Sequence, residues 1–420
     1  MQKLFLRSQA ALKTAETAYR RPLYDSIDWS NPLIAVIGAR GVGKTTLLLQ
    51  RLQALKRPPQ QALYADLGDL YFQENRLLDF AESFIEQGGQ YLFLDEVHRY
   101  GFSHWAQELK TLYDLYRKDL KIIFSGSSLI NILDQQADLS RRVRFYRMQG
   151  LSFREYLLLK SQVSLPDLGL EQLLQGHLEI AASLNTFRPI PALRQYWQSG
   201  YYPFFLEDEA GYAQRLNMVV QLVIDQDIAL TNGVSAAKHQ QLGRLLYAIA
   251  SSPPFKPNIS KLAERLGLSR NTLLHYLQLL ERAELIGSLR TSATGVSALQ
   301  KPDKLYLNNP NLVYALSPKE AAIGTLRETF FYNQLHALTH QGAAPAQLLL
   351  PKKGDFLFAL PGQEYQFEIG GPNKEAKQIG TAPHHYIVAD TAATAHQQRI
   401  PLWMFGLLYS RGSIIFSLLQ

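Results

Sequence analysis

The chain has no cysteine among its 420 residues, which excludes a disulfide framework and thiolate-held metals and suits a reducing compartment. It also lacks an unbroken apolar run of the roughly 20 residues needed to cross a bilayer. The longest such run, residues 400–420, is interrupted by Pro401, Gly406, Arg411 and Gly412, and reads as buried strand closing a domain. The first 21 residues carry neither the apolar segment nor the small-residue cleavage site of a signal peptide, so cytoplasm is the expected compartment, without membrane insertion. No internal repeat, low-complexity tract or block of like charge is evident. Lys and Arg exceed Asp and Glu by 43 to 36, a dispersed excess that permits contact with nucleic acid without demanding it.

What is present is a globular composition, 46% hydrophobic and 19% charged, in a chain long enough for several packed units. The first 150 residues alternate short apolar runs with amphipathic stretches, the pattern of an α/β fold: a doubly wound parallel sheet with helices on both faces. Strands are expected at 33–37, 62–65, 91–94, 121–124 and 143–148, and helices at 44–54 and 104–117. Residues 152–212 then turn helical and pass through an aromatic turn at 200–204. A further helical stretch follows a proline-rich break at 253–257, and beyond Pro310 come a helix and short strands separated by Gly and Pro. The expected division is a nucleotide-binding core over 1–151, a helical lid or connector over 152–215, a third domain over 216–310 and a second α/β unit over 311–420.

Gly38, Ala39, Arg40, Gly41, Val42, Gly43, Lys44 and Thr45 match the P-loop pattern in full, between an expected strand and an expected helix. Such a loop wraps backbone N–H groups around phosphate oxygens, so glycine is needed where a Cβ would block the approach or forbid the dihedrals. Lys44 would place a point charge on the β- and γ-phosphates, the Thr45 hydroxyl would meet magnesium, and Thr46 completes the nucleotide-contacting stretch at the helix N-terminus. Residues 91–94 then form an apolar strand that ends in Asp95 and Glu96. Asp95 is the expected metal residue. A second carboxylate is not needed to hold a metal, so Glu96 is the candidate base for an attacking water. Strand 121–124 ends in small hydroxyl residues, and Ser125 or Ser127 is placed to read the γ-phosphate or orient that water, since this strand end should lie beside that of Asp95.

These stretches, GARGVGKTTLLLQ, YLFLDEVHR, IIFSGSS and LSRRVRFYRMQGLSFREYL in that order, resemble the AAA-type ATPases of bacteria and archaea that carry a C-terminal restriction-nuclease-like domain. The likeness is specific over the first 160 residues and looser beyond. It implies Walker A, Walker B and sensor roles for Lys44, Thr45, Asp95, Glu96 and Ser127, with ATP and magnesium as ligands. It also implies that Arg141 or Arg142 touches the γ-phosphate, often that of a neighbouring subunit in a homo-oligomer. Residues 259–286 resemble a winged helix: Ser269 would cap a second helix with Leu273, Leu274, Leu277 and Leu280 inward, and with Arg270, Asn271 and His275 outward for duplex DNA or a protein contact. The last part resembles a restriction-nuclease-like domain through Glu328, Asp355 and Glu368. There Gly370 stands where such a site needs Lys, and Lys374 is the nearest cation, so a degenerate domain without cleavage is expected. The expected function is Mg-dependent ATP hydrolysis coupled to domain movement; the alternatives are a DNA-binding ATP switch and a metal-dependent nuclease.

Overall fold

The computed structural model describes every residue except 16–17, 103, 127–138, 140, 185–187, 229–235, 253, 292–300, 319–320, 341–344, 375–383, 394–395, 410–412 and 415–420. The chain divides into two compact units, Met1–Gln149 with Arg411–Gln420, and Gly150–Ser410.

The first unit is built on β1 (Leu33–Ile37), β2 (Ala62–Asp66), β3 (Tyr91–Asp95), β4 (Lys121–Gly126) and β5 (Arg144–Arg147), all parallel, in the order β5-β1-β4-β3-β2. Every residue of β1 is buried, as are four of five in β3, so these strands read as continuous apolar runs rather than as alternations, the mark of a sheet covered on both faces. Helices Lys44–Leu55, Leu77–Glu86 and Trp105–Tyr116 supply buried Leu and Phe to that cover. The five strands and two helices expected from the sequence are therefore present, and β4 lies between β1 and β3. The chain returns to this unit at its far end, where β13 (Ser413–Ile414) pairs antiparallel with β5.

In the second unit, helix Phe153–Ser161 starts with a capping box: the Ser152 hydroxyl accepts from the Glu155 N–H, and the Glu155 carboxylate accepts from the Ser152 N–H. Helices Leu170–Ser183, Pro189–Ser199 and Tyr212–Leu222 follow. Two short helices, Ile259–Leu266 and Arg270–Arg282, are joined by a turn in which Gly267 sits at φ 64°, a left-handed conformation open to glycine. Asn258 and Ser269 cap them by accepting from the N–H groups of Lys261 and Thr272, each cap worth about 1 kcal/mol. An antiparallel ribbon of β6 (Ile286–Leu289) and β7 (Lys304–Leu307) comes next. Then helix Ile323–Leu338 precedes a sheet of β8 (Gln347–Leu349), β9 (Phe356–Leu360), β10 (Gln363–Gly370), β11 (His385–Ala389) and β12 (Arg399–Pro401). Its first three strands are antiparallel and β10 to β12 parallel.

One sequence expectation changes. The terminal apolar run is not strand throughout: β12 ends at Pro401 and β13 spans Ser413–Ile414, while between them Leu402–Leu407 coils as a 3-10 helix whose six residues are all buried. Pro401 has no N–H to extend the ladder beyond it. Among the described residues no helix is long and apolar enough to cross a membrane.

Candidate nucleotide site

The site lies within the first unit, where β1 runs out into the glycine loop. Gly38, Gly41 and Gly43 have φ of 156°, 85° and 101°. At Gly38 the requirement is also spatial: a Cβ there would stand 2.2 Å from the Met148 carbonyl oxygen, which is backbone and has no rotamer to yield. Gly38→Ala should therefore displace the loop at an overpacking cost of about 1–3 kcal/mol. Both the thermal midpoint and ATP affinity should drop; a variant matching wild type in both measurements would contradict the packing argument.

The loop is held from both sides. Ala39 and Val42 are buried, and Arg40 is partly exposed. Arg21, which the sequence did not single out, donates to the Val42 carbonyl at 3.1 Å and to the Gln149 carbonyl at 3.1 Å, tying the loop to the chain after β5. Lys44 is 5% exposed, and its ammonium donates to the carbonyls of Gly38 (2.9 Å) and Ala39 (2.8 Å). Its charge thus sits inside the curl of the loop, where an anion would be enclosed. Thr46 follows in the first turn of the helix.

Asp95, only 2% exposed, gathers the hydroxyls around it. Its Oδ2 accepts from Thr45 Oγ1 at 2.7 Å and from the Tyr64 hydroxyl at 2.8 Å, and its Oδ1 accepts from Ser125. Burial first, and then the Asp95 charge, push the Tyr64 hydroxyl well above its ordinary pKa, so it remains a proton donor. In register across β2 and β3, Asp66 faces Asp95. Burial, opposed by the Gly68 N–H and reinforced by the Asp95 charge, raises the Asp66 carboxyl above its usual range. Asp66, Asp95 and Glu96 thus concentrate carboxylates at one edge of the sheet, and Thr45 with Asp95 forms an oxygen pair suited to a hard cation.

Glu96 has φ 52° and ψ 46°, a left-handed conformation that costs a non-glycine residue roughly 1–2 kcal/mol. Two hydrogen bonds hold it there: its N–H donates to Ser125 Oγ at 3.2 Å and to Asp95 Oδ1 at 3.2 Å. Its carboxylate meets the Nε2 of the buried His98 at 3.3 Å. Of the two serines proposed from the sequence, Ser125 is joined to Asp95 and Glu96, whereas Ser127 lies outside the described residues. Of the two arginines, Arg142 is engaged with Asp114 at 2.7 and 2.9 Å, and that pairing lowers the Asp114 carboxyl below its ordinary value. Arg141 is exposed.

Residues 30–157 match an AAA domain. This segment is an AAA-type P-loop domain, in agreement with its strand order and with the Thr45–Asp95 pair. A domain of unknown function matches residues 190–322. An uncharacterized protein of Methanocaldococcus jannaschii is 27% identical over 370 residues, covering 83% of this chain and 77% of its own. Among solved structures, the Walker-type ATPase of Pyrococcus abyssi is 14% identical, covering 75% of this chain and 95% of that one at a TM-score of 0.39. RuvB of Thermotoga maritima is 17% identical, covering 69% and 88% at a TM-score of 0.30. These two likenesses are loose.

The three carboxylates that the sequence singled out in the second unit, Glu328, Asp355 and Glu368, each have a partner. Lys374 reaches Glu368 at 2.5 Å, Lys304 holds Glu328 at 2.6 Å, and Asp355 Oδ2 accepts from the Ile369 N–H at 2.8 Å. Lys374 thus approaches the place that Gly370 leaves vacant, but as the counter-charge of a carboxylate 1% exposed. Among the described residues no group of three or more His, Asp or Glu side chains is placed to hold a metal ion. Plasmid and linear duplex should remain uncut with magnesium or manganese. Metal-dependent cutting that disappears in Asp355→Ala would contradict this.

Proposed function

We propose that this chain binds ATP with magnesium at residues 38–46 and hydrolyses it, and that the nucleotide state drives movement of the segments beyond residue 150. The observation that carries the reading is the meeting of Thr45 and Asp95, 50 residues apart in sequence, at 2.7 Å beside a glycine loop that curls around the Lys44 ammonium. In this reading the loop N–H groups receive the phosphates, and Lys44 exchanges the carbonyls of Gly38 and Ala39 for phosphate oxygens. Thr45 and Asp95 would hold magnesium, which supplies charge neutralisation at the β- and γ-phosphates. So few protein oxygens suit an ion that normally completes its shell with water and phosphate. Glu96 takes the proton of the attacking water, and His98 and Ser125 fix its position. Ser127 is the sensor by resemblance. Arg141, exposed while Arg142 is engaged with Asp114, is the arginine we assign to the γ-phosphate of a neighbouring copy.

A second reading, a DNA-binding switch that ATP locks without turnover, is favoured by one feature. Arg270, Asn271 and His275 are all exposed on helix Arg270–Arg282, while Leu273, Leu277 and Leu280 are buried and Leu274, expected inward as well, is only partly so. That distribution supports reading the helix as the recognition helix of a winged helix. Steady-state ATPase assays of wild type and Glu96→Gln, with and without duplex DNA, separate the two. Hydrolysis requires the variant to be much slower, whereas a switch requires the two to be equal.

A further inference from the structure

The second unit contains a cleft of about 630 Å³ lined by Lys256, Lys304, Lys352, Lys353 and Asp355. Its walls are fixed by backbone hydrogen bonds. The Leu305 N–H donates to the Phe255 carbonyl at 3.1 Å, setting Lys256 beside Lys304. The turn between β8 and β9, which carries Lys352 and Lys353, is pinned at its start by Leu350 N–H to the Arg290 carbonyl (2.9 Å) and at its end by Asp355 N–H to the Phe367 carbonyl (3.0 Å). Gly354, at φ 85°, makes the reversal between them, and Gln366 donates to the Lys353 carbonyl.

The charges do not cancel. Lys304 is neutralised by Glu328, and Asp355 is the one carboxylate among the described lining residues. Lys256, Lys352 and Lys353 are exposed, and none has an ion-pair partner among the described residues. Three ammonium groups brought into one cleft on fixed backbone repel one another, and an anion with repeated charges relieves that repulsion. Lysines act as point charges and carry none of the planar fork with which Arg reads a base edge, so the site recognises charge rather than sequence. No aromatic side chain is among the described lining residues, and without a platform for unstacked bases a duplex is favoured over a single strand.

We propose that this cleft binds the phosphate backbone of a nucleic-acid duplex through Lys256, Lys352 and Lys353. The inference does not depend on ATP hydrolysis and is tested on the full chain without nucleotide. Binding of a labelled duplex of about 20 base pairs is followed by fluorescence anisotropy between roughly 50 and 200 mM salt. Each phosphate contact contributes about 0.9 to the slope of log affinity against log salt, so Lys256→Ala/Lys352→Ala/Lys353→Ala should flatten that slope by roughly 2–3. Affinity at low salt should fall at least tenfold, and Lys352→Arg/Lys353→Arg should retain it. All three side chains are exposed, so their removal leaves the folded unit intact. An unchanged slope and affinity in the triple alanine variant would overturn the proposal. So would loss of binding in Arg270→Ala while the triple variant binds as wild type, which would move the contact to helix Arg270–Arg282. Stronger binding of inorganic tripolyphosphate than of duplex would mark a site for a free polyphosphate and would likewise overturn it.

Discussion

Glu96→Gln should bind ATP about as well as wild type and hydrolyse it about 10²- to 10⁴-fold more slowly, the usual worth of general-base assistance. The amide keeps the size of the carboxylate but cannot take a proton. Asp95 retains its contacts with Thr45, Tyr64 and Ser125, none of which involves the Glu96 side chain. The bonds that hold Glu96 in its left-handed conformation come from its N–H and survive the substitution. What changes beyond the lost base is the contact with His98, since an amide carries no charge to set against the imidazole. Combined loss of affinity and turnover, read by calorimetry and phosphate release, would make Glu96 a metal or structural residue instead.

Lys44→Ala should reduce ATP affinity at least tenfold, about 1.4 kcal/mol or more, the loss expected on removing a charge-assisted contact. Two effects act in the same direction. The β- and γ-phosphates lose their cation, and the carbonyls of Gly38 and Ala39, which both accept from the Lys44 ammonium, lose the donor that shapes the loop around it. Calorimetry giving the wild-type affinity would remove the P-loop assignment.

The parts of this site that were legible in the sequence are those fixed by local chemistry. The glycines that need positive φ, the lysine and threonine that follow them, and an all-apolar strand ending in two acids each declare themselves within a few residues. Even the adjacency of the Ser125 strand end to Asp95 followed from general rules for doubly wound sheets, and the pairing of β3 with β4 bears it out. Tyr64 was not legible. Its hydroxyl reaches Asp95 only because β2 pairs with β3 in one particular register, and nothing near it in the chain separates it from any other strand tyrosine. Arg21 was hidden for a similar reason: its partners are backbone carbonyls, which leave no trace in side-chain identity. The choice between Arg141 and Arg142 rested on Asp114, a residue in a helix that precedes β4. In the second unit, spacing alone found Gly370 where a lysine was wanted and could not see that the turn after β10 would carry Lys374 back to Glu368. The four lysines of the cleft come from three separated stretches of sequence and form no run of charge, so only the folded chain brings them together.

Turnover of ATP by Thr45, Asp95 and Glu96 is measured as steady-state phosphate release from the wild-type chain with magnesium and ATP. The measurement is made on the protein alone, with duplex DNA, and at high protein concentration, the condition that the proposed role of Arg141 in a neighbouring copy requires. Sustained release is expected under at least one of these conditions and is abolished when magnesium is chelated. Tight ATP binding with no release under any of them would contradict hydrolysis and leave the nucleotide-locked switch.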